Sequence, residues 1–155
     1  MVDSKLVRLA IASDQAIYLR GLASLAMSMP GIQLVGEARS AEEAVQLCEL
    51  SEPDILFLDL QSKEQSGVET AQRIMSRWSS VKVVLLLGNQ EDQLTRDGTG
   101  QVGLYYLSRD VSEEEFRLAL LEINQDPLEK DSVSGQASQV FRHQADEEEP
   151  EEVNL

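Results

Sequence analysis

Chemistry in this 155-residue chain has to come from carboxylates, hydroxyls and guanidinium groups, because it holds one histidine and one cysteine. That is too few for a tetrahedral zinc set, and His143 lies in a polar C-terminal stretch, which argues against Cys/His catalysis. Cys48 falls within an apolar helical pattern and reads as core. The acids that stand out are those at the ends of apolar runs. Asp14 follows one such run with Ser13 beside it, Asp59 closes a second, and Arg109 follows a third. Carboxylates suit hard cations, and a planar guanidinium suits oxyanions. No serine, cysteine or histidine has a partner arrangement that suggests nucleophilic catalysis, so the expectation is a protein that is not an enzyme.

The elements that must hold these residues are legible from hydrophobic spacing. Leu6–Ile11 is long enough for a buried strand, and Ile17, Leu22, Leu25, Ala26 and Met29 then recur at helical spacing up to Pro30-Gly31. Ile32–Gly36 reads as a second strand. Ser40-Ala-Glu-Glu43 is a capping box opening a helix that buries Ala44, Leu47 and Cys48 and ends at Pro53. Asp54–Asp59 is a continuous apolar strand between acids. Ser66-Gly-Val-Glu69 is a second capping box, ahead of a stripe of Val68, Ala71, Ile74, Met75 and Trp78. Val81–Leu87 and Leu104–Leu107 are further strands. Ser112-Glu-Glu-Glu115 is a third box, followed by Phe116, Ala119, Leu120 and Ile123.

Apolar strands alternating with amphipathic helices imply a parallel sheet covered on both faces. Five such units fit an α/β, flavodoxin-like, doubly wound sheet with strand order 2-1-3-4-5. In that arrangement the ligand crevice lies at the carboxyl ends of the strands. Ser13, Asp14, Asp59, Leu87 and Arg109 all fall at such ends, so residues distant in sequence converge on one pocket. Residues 90–101 break the pattern, with one large apolar residue, Leu94, and two glycines, Gly98 and Gly100. Each glycine costs about 1 kcal/mol in a helix interior. A loop or a degraded fourth helix is expected there.

The order Ile11-Ala-Ser-Asp14, Val35-Gly-Glu-Ala38, Leu58-Asp59-Leu60, Gly67 and Tyr106-Leu-Ser-Arg-Asp110 resembles the receiver domain of bacterial response regulators, most closely the NarL/FixJ class, over residues 6–124. The resemblance implies that Asp59 matches an aspartate that accepts a phosphoryl group. Asp14 matches one of two upstream acids that hold magnesium, and the carbonyl of Gln61 matches a backbone metal ligand. Tyr106 matches the family's switch aromatic, although an aromatic packed at a sheet edge accounts for it equally well.

Three positions depart from the family. Ser13 replaces an acid and removes charge from the metal pocket. Leu87 replaces a switch hydroxyl, and an alkyl chain donates no hydrogen bond. Arg109 replaces the lysine that contacts the phosphoryl group, exchanging a compact ammonium for a planar fork. Ser62-Lys63 replaces the family's Met-Pro pair. These changes point to an atypical receiver, or pseudo-receiver, with no cofactor or a weakly held magnesium ion on Asp14, Asp59 and Gln61. They favour phosphate-independent action, because added charge switches a protein only where it biases a two-state element. If the site is vestigial, Asp59→Asn should leave partner binding intact and raise stability by relieving repulsion from Asp14.

The net charge of −15 argues against direct DNA binding and suits a basic protein partner. Residues 126–155 carry nine acids against Lys130 and Arg142, with an acidic run at Asp146–Glu152. A domain over 1–125 and a disordered acidic tail over 126–155 are expected, the tail being either a solvated segment or a docking segment. A net-acidic stretch of 30 residues is too short, and of the wrong sign, for the helix-turn-helix domain that usually follows such receivers. No run approaches a membrane span and the start lacks a signal-peptide layout, so a cytoplasmic protein is expected. Gly98-Thr-Gly-Gln-Val-Gly103 fits a dinucleotide motif in letters only, since it precedes a strand rather than opening a helix. The leading reading is a single-domain protein-interaction module working through strands four and five, residues 90–101 and the last helix. The alternative is a regulator phosphorylated on Asp59 by a histidine kinase, and a homodimer fits either. A small flavin-binding electron carrier shares the general fold.

Overall fold

Fully apolar strands bury both faces only when helices cover both sides, and the chain solves this with five parallel strands in the order β2-β1-β3-β4-β5. The structure, a computed structural model, describes residues 6–61, 67–87 and 103–127. The strands are β1 (Val7–Ser13), β2 (Ile32–Ala38), β3 (Ile55–Asp59), β4 (Lys82–Leu87) and β5 (Leu104–Ser108). The helices are α1 (Ala16–Met27), α2 (Ala41–Ser51), α3 (Gly67–Arg77) and α4 (Glu113–Gln125). The expected flavodoxin-like doubly wound sheet is the observed one. The degraded fourth helix, the Ser66 cap, Lys63 and the acidic tail beyond 127 lie outside the described residues.

The chain reverses its direction across the sheet after β2. Right-handed crossovers therefore set α1 on one face and α2 and α3 on the other. An Arg73–Glu42 ion pair joins α3 to α2. Phe57 of β3 meets Phe116 of α4 edge to face, with centroids 4.8 Å apart. Every residue of β3 is buried, as a central strand requires. Gly36 follows a register shift between β1 and β2. A Cβ there would lie 2.4 Å from Leu47 Cδ1, so glycine lets α2 approach the strand.

Several local expectations change. Ile17 is not core: it is 88% exposed, because α1 buries the face that carries Leu19, Leu22, Ala23 and Ala26. α1 ends at Met27, and Met29 is buried from the turn that follows. At Ser40 the box is only half formed. The serine oxygen accepts the Glu43 N–H, whereas the Glu43 carboxylate accepts from Arg39 N rather than from Ser40. The Ser112–Glu115 box is complete.

At the amino-terminal edge of the sheet, Lys82 donates to the carbonyls of Ile123, Asn124 and Asp126 and so caps α4. Tyr105 donates to Asp126 Oδ2 at 2.7 Å. Asp126, placed by sequence at the head of the acidic tail, is thus buried against the sheet. Burial lowers the Lys82 pKa, and the nearby Asp126 and Asp54 oppose that shift.

Candidate functional site

Parallel strands in register end at a common level, which brings their last residues together. Ser13 of β1 is the register partner of Asp59 of β3, and the Asp14 N–H donates to the Asp59 carbonyl at 3.3 Å. Leu87 of β4 pairs with Ser108 of β5, and the Arg109 N–H donates to the Leu87 carbonyl at 3.0 Å. Sequence and structure therefore agree on the edge where Ser13, Asp14, Asp59, Leu87 and Arg109 lie. Tyr106 is set back from that rim, buried in β5 opposite Leu85.

Asp59 is fully buried and surrounded by donors. Its Oδ2 accepts from the Ser13 hydroxyl at 2.8 Å, and its Oδ1 accepts from Gln61 Nε2 at 2.7 Å. Arg109 Nε lies 3.0 Å from Oδ1 as an ion pair whose N–H direction misses hydrogen-bond geometry, and Nη2 donates to Oδ2 at 3.4 Å. A buried carboxylate is costly unless it is paired and hydrogen-bonded, and this one is both. Asp14 turns elsewhere: both its oxygens accept the Gln61 backbone N–H, at 3.1 and 3.0 Å. The expected Asp14–Asp59 repulsion is thus answered by the Arg109 cation beside Asp59. That removes the reason to expect a stability gain from Asp59→Asn.

Two contributions escaped the sequence reading. Gln61, expected to offer a carbonyl, instead turns its N–H groups toward both acids. Tyr18 in the first turn of α1 lies beneath Arg109, whose Cζ is 4.3 Å from the ring centroid. Burial raises the Tyr18 pKa, Asp59 adds to the rise and Arg109 offsets part of it, so the phenol is neutral. The available signal was position: a helix that starts just past β1 puts its first turn over the same edge.

Residues 9–121 match the response regulator receiver domain. The chain belongs to that family. Among relatives, this receiver is 29% identical over 119 residues to the transcriptional regulatory protein LnrK of Bacillus subtilis, covering 77% of this chain and 54% of that one. It is 35% identical over 89 residues to the transcriptional regulatory protein PdtaR of Mycobacterium tuberculosis, covering 57% and 43%. The receiver thus spans about half the length of the curated relatives it matches. Its fold is that of the signal receiver domain of the putative response regulator NarL from Mycobacterium tuberculosis. The TM-score is 0.66 at 20% identity, covering 79% of this chain and 99% of that one.

The receiver family implies magnesium at this edge, and the residues present suit it poorly. Magnesium demands octahedral oxygen ligation and relies on carboxylate charge. Ser13 brings a neutral hydroxyl that donates to Asp59, and a guanidinium already stands 3.0 Å from Oδ1. Among the described residues, no three acid, histidine or cysteine side chains group as a metal site. As arranged, the pocket neutralises its own central carboxylate. Among the described residues no helix is long and apolar enough to cross a membrane.

Proposed function

We propose that this receiver works in two-component signalling as a protein–protein interaction module that does not need a phosphoryl group on Asp59. One observation carries this reading: both Asp59 oxygens are engaged by Ser13, Gln61 and Arg109. A carboxylate attacks phosphorus through a lone pair aimed at the donor, and here hydrogen bonds and an ion pair hold those lone pairs. Leu87, at the end of β4, has no hydroxyl to report added charge to the rest of the domain.

The working surface is the side formed by β4, β5 and α4. On α4, Leu118 and Leu121 lie one turn apart and are exposed. The partner is a protein rather than DNA, since the net charge of −15 repels phosphates. The acidic residues beyond 127 would assist as a docking segment for a basic face. The protein acts in the cytoplasm, without catalysis of its own, and pairing with a second copy belongs to the same surface.

A second reading draws on Arg109: a cation beside the acceptor position could pair a phosphoryl group delivered by a histidine kinase. Incubating the chain with magnesium and phosphoramidate separates the two. The first reading expects either no mass gain or a gain that leaves oligomeric state and partner affinity unchanged. A stable Asp59 adduct that alters either property refutes it.

A further inference from the structure

We propose that Tyr18 is a positioning residue whose ring holds the Arg109 guanidinium against Asp59, forming an internal latch that shuts the pocket to phosphoryl donors. The proposal rests on the phosphate-independent reading and gives it a physical cause.

The geometry is that of a cation held between two attractive surfaces. Arg109 Cζ stands 4.3 Å from the Tyr18 centroid, while Nε stands 3.0 Å from Asp59 Oδ1. An aromatic face is the negative part of its quadrupole, so ring and carboxylate both favour the guanidinium where it lies. The Arg109 backbone is tied to the end of β4 through its N–H, which leaves only the long side chain free to swing. Asp59 exposes nothing, and among the described residues the solvent-facing side chains that touch it are Gln61 and Arg109, the latter 27% exposed. A donor approaching from solvent meets these groups before it meets the carboxylate. The ring is a steady partner because the Tyr18 phenol stays protonated, its pKa raised by burial and by Asp59.

The test uses the 15N-labelled full chain and two variants, Tyr18→Leu and Tyr18→Phe. Tyr18→Phe keeps the ring face and Tyr18→Leu removes it. Exchange of the Arg109 Nε proton with water should be roughly 5- to 30-fold faster in Tyr18→Leu, the range for loss of a partly desolvated cation–π contact, and unchanged in Tyr18→Phe. Phosphoramidate with magnesium supplies the second readout. There an Asp59 oxygen forms an O–P bond as the P–N bond breaks and ammonia leaves. Adduct formation should accelerate in Tyr18→Leu and not in Tyr18→Phe. Equal Arg109 exchange, or equal adduct rates, in wild type and a folded Tyr18→Leu overturns the latch.

Arg109→Lys covers the case in which Tyr18→Leu does not fold. It keeps the charge and loses the planar stack, so it too should label faster than wild type, and equal labelling counts against the proposal. A wild-type adduct that changes oligomeric state would end the phosphate-independent reading. It would leave the variant-to-wild-type ratio to judge the latch separately.

Discussion

Ser13 and Asp59 face each other across the β1–β3 pair, and the serine hydroxyl donates to the aspartate at 2.8 Å. The residue that removes an acid from the family's pocket therefore also supplies a hydrogen bond to the acid that remains. Restoring the acid tests this directly. Ser13→Asp replaces a donor with a second carboxylate beside a buried one, and should cost about 1–3 kcal/mol without divalent cations. The loss should shrink in millimolar magnesium, whereas wild type should respond far less. Thermal melts of both proteins with and without magnesium check it, and equal magnesium responses would speak against the account.

Asp59→Asn removes the counterion of Arg109, whose side chain is largely covered. The amide keeps an oxygen to accept one hydrogen bond but loses the charge. A decrease of about 1–3 kcal/mol in unfolding free energy is expected. Affinity for a partner docked on the β4, β5 and α4 side should stay within about twofold, since surface and site are not coupled through a switch hydroxyl. Urea unfolding and a binding titration on one preparation measure both, and increased stability would restore the like-charge picture.

Tyr105→Phe deletes the hydroxyl that donates to the buried Asp126 Oδ2. Among the described residues the other carboxylate oxygen, Oδ1, is buried without a hydrogen-bond partner, so the variant would leave both oxygens without one. The expected cost is about 1–3 kcal/mol, with the pocket unaffected because it lies at the opposite edge of the sheet. A double-mutant cycle with Asp126→Asn should show strong coupling. Additive effects would mean that the contact contributes little.

Cys48 sets a limit on alkaline stability. Burial raises its thiol pKa from 9.0 to about 11. The unfolded chain therefore gives up this proton first. The stabilisation is complete below pH 9 and is lost as pH climbs through 11, by roughly 3 kcal/mol at most. Tyr105, also raised, adds to the decline above its ordinary value of 10.0. Burial lowers the Lys82 pKa, so Lys82 instead favours the fold as pH rises toward 10.5. Cys48→Ala should flatten the fall between pH 9 and 11 in urea midpoints, and a native thiol that reacts at once with a disulfide reagent at neutral pH would contradict the burial.

Much of the fold could be read from spacing. Apolar runs bounded by Pro, Gly and acids gave five strands within a few residues, because burial on both faces leaves little choice of side chain. The misreadings sit where local pattern and global position part. Ile17 matches a helical stripe in letters, yet α1 buries a different face, that of Leu19, Leu22, Ala23 and Ala26. Asp126 looks like the first residue of a charged tail, yet Tyr105 and Lys82, both from strands, reach it.

By itself the sequence determined which strand ends meet at one edge. Ser13, Asp14, Asp59, Leu87 and Arg109 must share an edge, because parallel strands in register end together and their order follows from the alternation of elements. Only the tertiary structure decided what those residues do to one another. Arg109 turns to Asp59, with Tyr18 beneath it and Gln61 on the same carboxylate. Those contacts cross between separate elements, and no periodicity along the chain encodes them.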